Sequence, residues 1–377
     1  MERAKLRNLA LSTGCAEEHG GFVFLRDPKW SAEQRACVES LISKIKKRKP
    51  SNRRGWLCLP TGGTSGAIKF ARHDEHTLTA AVRGFGEHFG LRRVNAIGVL
   101  PAHHVSGFMA RVRCMATGGT YVDWDWKRLE AGARPARSRR RGPWVISLVP
   151  TQLQRLLKSE PAIAWLRGFR IVFLGGGPMW PQLTDAAARA KVRVSLSYGM
   201  TETAAMITAL RPEEFLAGDR SSGAALPHAW VTITRSGVVQ IAGESVFYGY
   251  FPATSRTRYF TTEDFGRLDE RGHLTVLGRR DAVIITGGKK VRPAEVEAAL
   301  HASGEFADVA VVGVPDAEWG EAVVACYPAG GRTPDLVKAC AALVGPVRPK
   351  RFVAVSEWPR NAQGKINRVA LIAAATK

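Results

Sequence analysis

The sequence predicts an α/β protein: a large N-terminal domain with a parallel sheet and a β-rich subdomain, followed by a small α+β domain. Three observations support this prediction. Apolar runs alternate with helix-like segments through the first half of the chain, an order typical of parallel sheets. From about residue 221, short β segments follow one another without helices between them. From Pro293, helices and strands mix again in a shorter unit.

The first elements surround a glycine-rich loop. Residues 1–55 are polar, basic and weakly periodic, and a helix is expected to end at Pro50. The apolar run "GWLCLP" predicts a strand before the loop. After the loop, "EHTLTAAVRGFGEHFG" has helical spacing that places Leu78, Ala81 and Phe85 on one face. "NAIGVLPAHHVSG" indicates a buried strand that runs into a loop.

The middle of the chain repeats this order of strand and helix. Strands are predicted in "GPWVISLVP", "FRIVFLGGGPMW" and "RVSLSY", and helices in "TQLQRLLKS" and "PQLTDAAARAKV". A further helix is expected to begin within "GMTETAAM". The Arg-rich connector "KRLEAGARPARSRRRGP" is interpreted as a solvated surface loop, because runs of charge usually face water.

The last third is built from shorter elements. "AWVTITRSGVVQIAG" and "GHLTVLGRRDAVIIT" predict β segments joined by turns. The unit from Pro293 predicts a helix in "PAEVEAALHAS", strands in "DVAVVGVP" and "EAVVACYPA", and a helix in "TPDLVKACAALVG". We find no internal repeat.

Composition narrows the class of protein. The 377 residues carry a formal net charge of +22, which favours anionic partners such as nucleic acid, anionic lipid or phosphorylated small molecules. The six cysteines are scattered without a CxxC pair, which argues against a cysteine zinc site or a disulfide framework. No apolar run is long enough for a membrane span, and the N-terminus is too short in apolar residues for a signal peptide. A cytoplasmic location is therefore expected.

The stretch "LPTGGTSGAIKF" has the chemistry of a phosphate-binding loop. Its glycines let backbone N–H groups approach an anion, its hydroxyls donate hydrogen bonds, and Lys69 supplies positive charge. The spacing differs from the Walker A loop, in which Lys directly follows Gly, because Ala67 and Ile68 lie between Gly66 and Lys69. The loop therefore predicts a different class of nucleotide site.

Three loops are expected at the carboxyl ends of strands, where open α/β sheets bind their ligands. They span Thr61–Lys69, Gly175–Gly177 and Ser197–Glu202. Each alone is a weak signal, since a glycine triplet is usually a tight turn and a Glu often stabilises a helix start. Together they predict a nucleotide with its phosphates, an aromatic ring for the base, and a carboxylate for Mg²⁺.

Five segments, in order, resemble the acyl-adenylate-forming (AMP-binding) superfamily of acyl- and aryl-CoA ligases, adenylation domains and luciferase-like enzymes. The resemblance spans about residues 55–377. The segments are "TGGTSGAIK", "SYGMTET", "TTEDFGRLDERGHLTVLGRRD", "GGKKVRPAEVE" and "PRNAQGKINR". Within this superfamily, "LPAHHVSGF" and "SLVPTQLQRLL" resemble o-succinylbenzoate–CoA ligases of menaquinone biosynthesis, which are among its shorter members.

The resemblance implies a fold and a reaction. An N-terminal AMP-binding domain would span residues 1–278, with a β-rich subdomain at about 221–278, and a C-terminal domain of residues 279–377 would rotate. A carboxylate would attack the α-phosphate of Mg-ATP, and the thiol of CoA would then displace AMP. ATP, Mg²⁺ and CoA are the implied cofactors and co-substrates. No oligomeric state follows from the sequence.

The resemblance also implies a nucleotide site. The loop from Thr61 to Lys69 would hold the β- and γ-phosphates, and Tyr198 with the Gly176–Gly177 turn would bracket adenine. Asp264 would accept hydrogen bonds from the ribose hydroxyls with help from Arg279. The implied ATP- and AMP-binding residues are Thr61, Gly62, Gly63, Thr64, Ser65, Gly66, Lys69, Gly176, Gly177, Tyr198, Gly199, Thr201, Asp264 and Arg279.

Further roles are implied for the chemistry and for domain motion. Glu202 would hold Mg²⁺, Thr201 would contact the α-phosphate, and Lys365 would bridge the acyl carboxylate and that phosphate. The implied catalytic residues are therefore Lys365, Thr201, Glu202 and His104. The C-terminal domain would hinge at Asp281 and bring Gly287 and Gly288 to the CoA channel. The acyl pocket would include His104, with Thr151 and Arg155 as hypothetical partners of a second substrate carboxylate, whereas His103 is interpreted as structural.

Three departures from the superfamily pattern have expected consequences. Ile68 occupies the place of a usual proline in the phosphate loop. Glu263 replaces the glycine before Asp264 and is expected to add negative charge near the nucleotide. The segment before the loop is short, so part of the N-terminal subdomain is expected to be missing or reduced.

The alternatives divide by class of protein. One is a CoA ligase or adenylation enzyme for another aryl or acyl acid. The basic run Lys289–Arg292 favours CoA over a carrier protein as the acceptor of the acyl group. Another is a nucleic-acid-binding protein, suggested by the charge of +22 but supported by no nucleic-acid motif. A third is a non-catalytic member of the superfamily, which the presence of Glu202, Asp264, Arg279 and Lys365 disfavours.

Overall fold

The computed structural model describes residues 1–43, 54–61, 68–137, 142–177, 179–253, 259–360 and 366–376. Four sheets organise them. The first has the order β1-β2-β3-β4. Its elements and the adjoining helices are α1 Arg3–Ser12, β1 Ala16–His19, β2 Phe22–Leu25, α2 Ala32–Ser43, β3 Leu57–Thr61 and β4 Lys69–His73.

This N-terminal sheet is buried on both faces. All four residues of β2 are buried, and on one face Leu57 and Leu59 pack with Leu6 of α1. On the other face Phe24 and Phe70 meet edge to face with ring centroids 5.1 Å apart. Burying such side chains stabilises a fold by about 1.5–3 kcal/mol each. Residues 1–43 therefore form a folded layer together with β3 and β4. The expected helix end at Pro50 lies outside the described residues.

The second sheet has seven strands in the order β11-β10-β9-β8-β7-β5-β6. Strands β5 to β9 run parallel, and β10 and β11 add an antiparallel edge. This confirms the predicted α/β class. The elements are α3 Glu75–Phe89, β5 Asn95–Gly98, α4 Val105–Ala116, β6 Tyr121–Asp123, α5 Trp126–Glu130, β7 Trp144–Leu148, α6 Pro150–Leu156, α7 Glu160–Arg167, β8 Ile171–Leu174, α8 Pro181–Arg189, β9 Val194–Met200, β10 Ala205–Ala209, α9 Pro212–Leu216 and β11 Ala224–Ala225.

Helices cover the parallel strands on both faces, so the strand sequences are apolar along their whole length. Every residue of β8 is buried, as expected for a central parallel strand covered on both faces. Leu153 of α6 and Leu183 of α8 pack in one core with Leu174. Helix α3 begins at a capping box formed by Asp74, whose carboxylate accepts hydrogen bonds from the backbone N–H groups of residues 76 and 77.

The third sheet is antiparallel and has the order β12-β13-β14-β15. An isolated bridge between Ala71 and Tyr250 joins the segment after this sheet's second strand to β4 of the N-terminal sheet. The strands confirm the β segments predicted after residue 221. They are β12 Ala229–Ile233, β13 Val238–Gly243, β14 Phe260–Leu268 and β15 Leu274–Arg279.

The fourth sheet belongs to the C-terminal unit and has the order β17-β16-β19-β18, with β20 parallel to β19. Helices α10 and α12 cover it with Val296, Leu300 and Leu371. The elements are β16 Ile284–Thr286, β17 Lys289–Val291, α10 Pro293–Ala302, β18 Ala310–Asp316, β19 Gly320–Pro328, α11 Leu336–Ala339, β20 Arg351–Val355 and α12 Arg368–Thr376.

One sequence-based prediction of a helix was wrong, and another helix was predicted too long. The segment after Tyr198 forms a single 3-10 turn over Thr201–Thr203 and then β10, because the chain reverses into an antiparallel hairpin rather than crossing over. The last predicted helix is limited to the four residues of α11. Its N-cap Asp335 also contributes its backbone N–H to the buried Glu305, and the chain then turns toward β20.

The Arg-rich connector is not simply solvated. The guanidinium of Arg137 lies 4.1 Å from the ring centroid of Phe169, and that of Arg134 lies 5.2 Å from that of Trp165. These cation–π contacts attach the described part of the connector to α7 and the turn after it. All six cysteines are free. Within the described ranges, no helix combines the length and apolar character that crossing a bilayer requires.

Candidate active site

The predicted site residues gather at the carboxyl edge of the seven-stranded sheet. Strands β5, β7, β8 and β9 run in one direction, so the loops after them open on the same side. This edge is where open α/β sheets bind ligands. The candidate residues that the strand ends and following loops bring to this edge are His104, Thr151, Gly176, Gly177, Tyr198, Gly199, Thr201 and Glu202.

A strained turn presents Thr201 and Glu202. After the 3-10 turn, Ala204 and Ala205 have φ values of +53° and +82°, a region that alanine rarely adopts. A Cβ on Gly199 would lie 2.0 Å from the carbonyl oxygen of Ala205, so only glycine fits there. Strain of this kind is often found at functional sites, where the surrounding fold holds it in place.

The carboxylate of Glu202 is nearly buried, with 9% of the residue exposed. Its Oε1 accepts a hydrogen bond of 2.6 Å from the hydroxyl of Tyr250. Its backbone oxygen accepts another, of 2.9 Å, from the N–H of Phe247. Burial and the neighbouring Glu202 carboxylate raise the pKa of Tyr250, so its hydroxyl stays protonated and donates. Tyr250 was not predicted from the sequence.

A buried histidine supports the same turn from the other side. His73, at the end of β4, lies with its Nε2 2.7 Å from the carbonyl oxygen of Thr201. A carbonyl only accepts, so Nε2 carries the proton, and Nδ1 is left to accept from Thr77 Oγ1 at 3.1 Å. Burial lowers the pKa of His73 to about 4, which keeps the ring neutral. His73 too was absent from the predicted site.

The carboxylate of Asp264, like that of Glu202, is held in place by a tyrosine hydroxyl. Its Oδ2 accepts a hydrogen bond of 2.6 Å from the hydroxyl of Tyr198, and its residue is 8% exposed. Burial and this carboxylate raise the pKa of Tyr198, so the phenol remains a donor. The sequence-based role of Tyr198 concerned its ring beside adenine. The structure adds a hydroxyl that orients the carboxylate predicted for ribose.

Arg279 is shared between two carboxylates. It pairs across the strands with Asp264, with Nη1 3.8 Å from Oδ1, and it donates two hydrogen bonds of 2.7 and 2.5 Å to Asp281. The hydrogen bonds to Asp281 are the largest cause of a raised pKa of Arg279, and the charge of Asp264 adds to it. The predicted hinge residue is thus connected to the predicted ribose-binding carboxylate by one guanidinium.

The charge expected from Glu263 is largely offset. Glu263 accepts two hydrogen bonds, of 2.8 and 2.7 Å, from Arg280 in a fork-to-fork ion pair. Glu263 and Asp264 are neighbours along β14 and therefore project to opposite faces of the sheet. The negative charge expected from Glu263 is therefore paired with a guanidinium.

The phosphate-like loop connects the two strands of a hairpin. Thr61 at the end of β3 pairs with Lys69 at the start of β4, so these two strands are antiparallel partners. The Nζ of Lys69 lies 5.4 Å from the ring centroid of Tyr250. This contact places the hairpin beside the group that holds Glu202. The predicted loop residues Gly62, Gly63, Thr64, Ser65 and Gly66 lie outside the described residues.

The glycine triplet after β8 packs against its neighbours closely. A Cβ on Gly175 would lie 3.0 Å from Ser197 Oγ, and Gly176 has a φ of +80°. Gly177 faces Pro150 of α6, whose ring atoms would lie 3.7 Å from a Cβ there. The triplet therefore lies between the start of α6 and Ser197 of β9.

The three candidates for the acyl pocket divide. His104 is the N-cap residue of α4, and Thr151 is in the first turn of α6, both at the carboxyl edge. Arg155 is an exposed residue whose Nη1 donates a hydrogen bond of 2.8 Å to Glu130. The prediction of Arg155 as an interior cation was wrong, because its side chain is exposed and paired with Glu130 at the surface.

The C-terminal candidates lie in a separate unit. Gly287 and Gly288 form the two-residue turn between β16 and β17, with φ values of +53° and +72° that favour glycine. The unit contacts the large domain where Trp180 stacks on His301, with ring centroids 5.1 Å apart. The predicted catalytic Lys365 lies outside the described residues.

Comparison with known proteins agrees with this architecture. The family model of the AMP-binding enzyme matches residues 14–251, and that of the AMP-binding enzyme C-terminal domain matches residues 295–365. The first match begins well before residue 55, where the sequence-based resemblance had been taken to begin. The N-terminal sheet therefore belongs to the family's domain.

Three relatives illustrate the similarity. A 2-succinylbenzoate–CoA ligase of Listeria monocytogenes is 32% identical over 327 residues, which cover 82% of this chain and 68% of that protein. A probable 2-succinylbenzoate–CoA ligase of Mycobacterium tuberculosis is 32% identical over 335 residues, covering 84% and 83%. The solved Bacillus subtilis o-succinylbenzoate CoA synthetase, in complex with the acyl-adenylate intermediate OSB-AMP, gives a TM-score of 0.73 at 25% identity, covering 97% of this chain and 80% of that one. The chain belongs to the AMP-binding enzyme family.

Proposed function

We propose that this protein is an AMP-forming acid–CoA ligase that converts o-succinylbenzoate, ATP and CoA to o-succinylbenzoyl-CoA, AMP and diphosphate. The observation that carries the proposal is a pair of nearly buried carboxylates, Glu202 and Asp264, each oriented by a tyrosine hydroxyl at 2.6 Å. Glu202 is connected through Tyr250 to Lys69 at the start of β4, because the Nζ of Lys69 lies 5.4 Å from the ring centroid of Tyr250. The relatives named above carry out or are named for this ligation, which supports the substrate.

The residues fit a magnesium ion. Mg²⁺ in nucleotide sites takes one or two carboxylates together with phosphate oxygens and water. Glu202 offers such a carboxylate, and of its two oxygens only Oε1 has a hydrogen-bond donor among the described residues. When bound, Mg²⁺ would neutralise phosphate charge. Glu202 would hold it, and Tyr250 would keep the carboxylate in place.

In the first half-reaction, an oxygen of the acid's carboxylate attacks the α-phosphorus of ATP. The bond from that phosphorus to the bridging oxygen of the β-phosphate breaks, and diphosphate leaves. Two anions must approach each other, so positive charge and N–H donors are needed at the α-phosphate. We assign this task to Lys365 and Thr201, with Lys69 and its loop at the β- and γ-phosphates.

The same carboxyl edge would position the nucleoside. Asp264, aligned by Tyr198, would accept hydrogen bonds from the ribose hydroxyls, with Arg279 beside it. The ring of Tyr198 and the turn at Gly176 and Gly177 would enclose adenine. Held donors and acceptors of this kind lower the entropy that is lost when the reacting groups are brought together.

In the second half-reaction, the sulfur of CoA attacks the acyl carbonyl carbon after the thiol loses its proton. The carbon–oxygen bond to AMP breaks, and the thioester forms. We propose that residues 279–377 rotate about Asp281 between the two steps, so that Lys365 leaves and Gly287 and Gly288 line the CoA channel. Domain rotation of this kind lets one cleft serve two reactions in turn.

Release of diphosphate from Mg-ATP tests the proposal. The wild-type protein is assayed with o-succinylbenzoate and with a panel of aryl and fatty acids, each with and without CoA. We expect a single burst with o-succinylbenzoate alone and continued turnover when CoA is added. Turnover only with a different acid would refute o-succinylbenzoate as the substrate but would support the proposed type of reaction. Absence of release with every acid would refute the ligase.

Two variants complete this experiment. Glu202→Gln keeps the shape of the side chain but removes the charge that Mg²⁺ needs, so diphosphate release should fall by at least about a hundredfold. Gln240→Glu changes an amide in the antiparallel sheet, where Gln240 bonds to Thr261, and serves as the matched control. Equal loss in both variants would indicate a general loss of structure rather than of the metal ligand.

A further inference from the structure

A cluster of two histidines and an aspartate lies where the N-terminal sheet meets the seven-stranded sheet. Asp27 follows β2, whereas His103 and His104 end the loop between β5 and α4. The rings of the two histidines are tilted, with centroids 4.3 Å apart. One possible ligand atom from each of the three residues lies within 4.8 Å of the other two. The nucleotide chemistry described above uses neither Asp27 nor His103.

The pair at the centre of the cluster is not a hydrogen bond. His103 Nε2 lies 3.4 Å from Asp27 Oδ2, and this nitrogen is buried without a hydrogen-bond partner among the described residues. The side chains of His103 and Asp27 are only 7% and 11% exposed. A buried polar atom without a partner is costly, so its orientation toward a carboxylate needs an explanation.

The local turn fixes which carboxylate oxygen faces the histidines. Oδ1 of Asp27 accepts a hydrogen bond of 2.9 Å from the backbone N–H of Lys29. Oδ2 is therefore the oxygen turned toward His103. The carboxylate is held by its own loop, and the imidazole by the start of a helix that packs tightly, since a Cβ on Gly107 would lie 2.2 Å from the oxygen of Pro101.

The spacing and the donor set match a transition metal. In a tetrahedral zinc site, bonds of about 2.0–2.2 Å place neighbouring ligand atoms about 3.4 Å apart. The distance from Oδ2 to Nε2 has this value. Two imidazoles and one carboxylate form a donor set typical of zinc with a fourth position open. The cysteine pattern had argued only against a thiolate site, and this set contains no cysteine.

We propose that Asp27, His103 and His104 form a zinc-class metal site with three protein ligands and a water molecule in the fourth position. The metal would join the loop after β2 to the loop before α4. It would also fix the ring of His104, which the family resemblance implies for the acyl pocket. The site differs from that of Mg²⁺, because Mg²⁺ prefers oxygen ligands and imidazole favours transition metals.

Metal uptake by the full chain tests this proposal without any assay of activity. The protein is prepared without a histidine tag, treated with chelator, equilibrated with ZnCl₂ and analysed for bound zinc by mass spectrometry. Affinity is measured by competition with a chromogenic chelator. We expect one zinc per chain. Asp27→Asn and His103→Gln should each weaken zinc binding by at least about tenfold. Even the loss of a residue that only hydrogen-bonds to a metal ligand usually weakens metal binding by this amount.

The matched control is His76→Gln, which removes an exposed imidazole from α3 and should leave zinc affinity unchanged. Cobalt(II) substitution adds a spectroscopic test, with visible absorption expected from wild type and absent from the Asp27→Asn, His103→Gln double variant. Affinity that is unchanged in both single variants would overturn the proposal. If a variant fails to fold, the wild-type measurement is sufficient, because folded wild-type protein that takes up no zinc would overturn the proposal.

Discussion

Tyr250 and Glu202 are joined by a hydrogen bond of 2.6 Å between two segments that are 48 residues apart in the chain. The bond connects the loop after β13 to the turn after β9. It fixes the carboxylate that we assign to magnesium before any ligand enters. The same segment bridges to Ala71 of β4, so the hairpin that we propose to bind phosphate shares this support.

Tyr250→Phe should therefore weaken the use of magnesium. The substitution removes the hydroxyl donor and keeps the ring that faces Lys69 and packs on Phe247. We expect the Mg²⁺ concentration for half-maximal diphosphate release to rise by about tenfold, as for other groups that orient a metal ligand. Tyr327→Phe, a ring that packs on Phe306 in the C-terminal unit, is the control. Equal magnesium dependence in all three proteins would contradict the assignment.

Tyr198 and Asp264 should act as one unit toward ATP. Tyr198→Phe removes the donor that aligns Asp264, and we expect the KM for ATP to rise by about tenfold, close to the value of one hydrogen bond to a charged group. Asp264→Asn should have a larger effect. The double variant should lose less than the product of the two effects, because both act on the same contact. Independent effects, measured by initial rates, would show that the hydroxyl does not act through Asp264.

Stability should fall between pH 6.5 and pH 4 because of a buried histidine. His228 is fully buried, and burial lowers its pKa from 6.5 to about 4. In this range the unfolded chain binds a proton that the folded chain does not, so the free energy of unfolding decreases as the pH falls. One such group contributes a loss of about 2 kcal/mol by pH 4.5.

Urea denaturation of wild type and His228→Leu at pH 7 and 4.5 measures this contribution. The variant should lose less stability on acidification than wild type, whatever its stability at pH 7. His76→Leu removes an exposed histidine and controls for the general effect of such a change. An identical decrease in wild type and His228→Leu would exclude His228 as a source of the pH dependence.

Gly199→Ala should destabilise the fold and the active-site turn together. The added Cβ would meet the backbone oxygen of Ala205 at 2.0 Å, where no side chain can give way. We expect a loss of at least about 2 kcal/mol in the free energy of unfolding. Gly331→Ala, with no atom within 4 Å of the added Cβ, should stay within about 0.5 kcal/mol of wild type by thermal denaturation. Equal stability of the two variants would contradict the tight hairpin.

Much of the fold could be predicted, because the apolar runs of parallel strands and the glycines after them are local signals. The strand before Gly175 is an example. The helix expected after Thr201 was wrong, since propensity cannot reveal that Gly199 and Ala205 are packed too closely for anything but a hairpin. Arg155 was misplaced because its partner Glu130 is known only from the tertiary fold.

The supporting residues of the site were missed for a physical reason. Tyr250 lies in an aromatic-rich stretch that resembles ordinary core, and its role depends on one long-range hydrogen bond. His73 follows a strand with no motif of its own, and only burial against the oxygen of Thr201 gives it a function. The sequence predicts groups that contact ligands more readily than the groups that orient them.

Arg279 connects Asp264, which we propose for the ribose, to Asp281, which we propose as the hinge. Its guanidinium contacts Asp264 on one side and Asp281 on the other, and it cannot strengthen one pair without altering the other. Any ligand that changes the charge around Asp264 therefore changes the stability of the conformation at Asp281. Linkage would make the coupling reciprocal, so the rotation that we propose about Asp281 would change nucleotide affinity by the same factor. Departure of AMP and reorientation of the C-terminal unit would then be coupled, and the same coupling free energy would apply to both events.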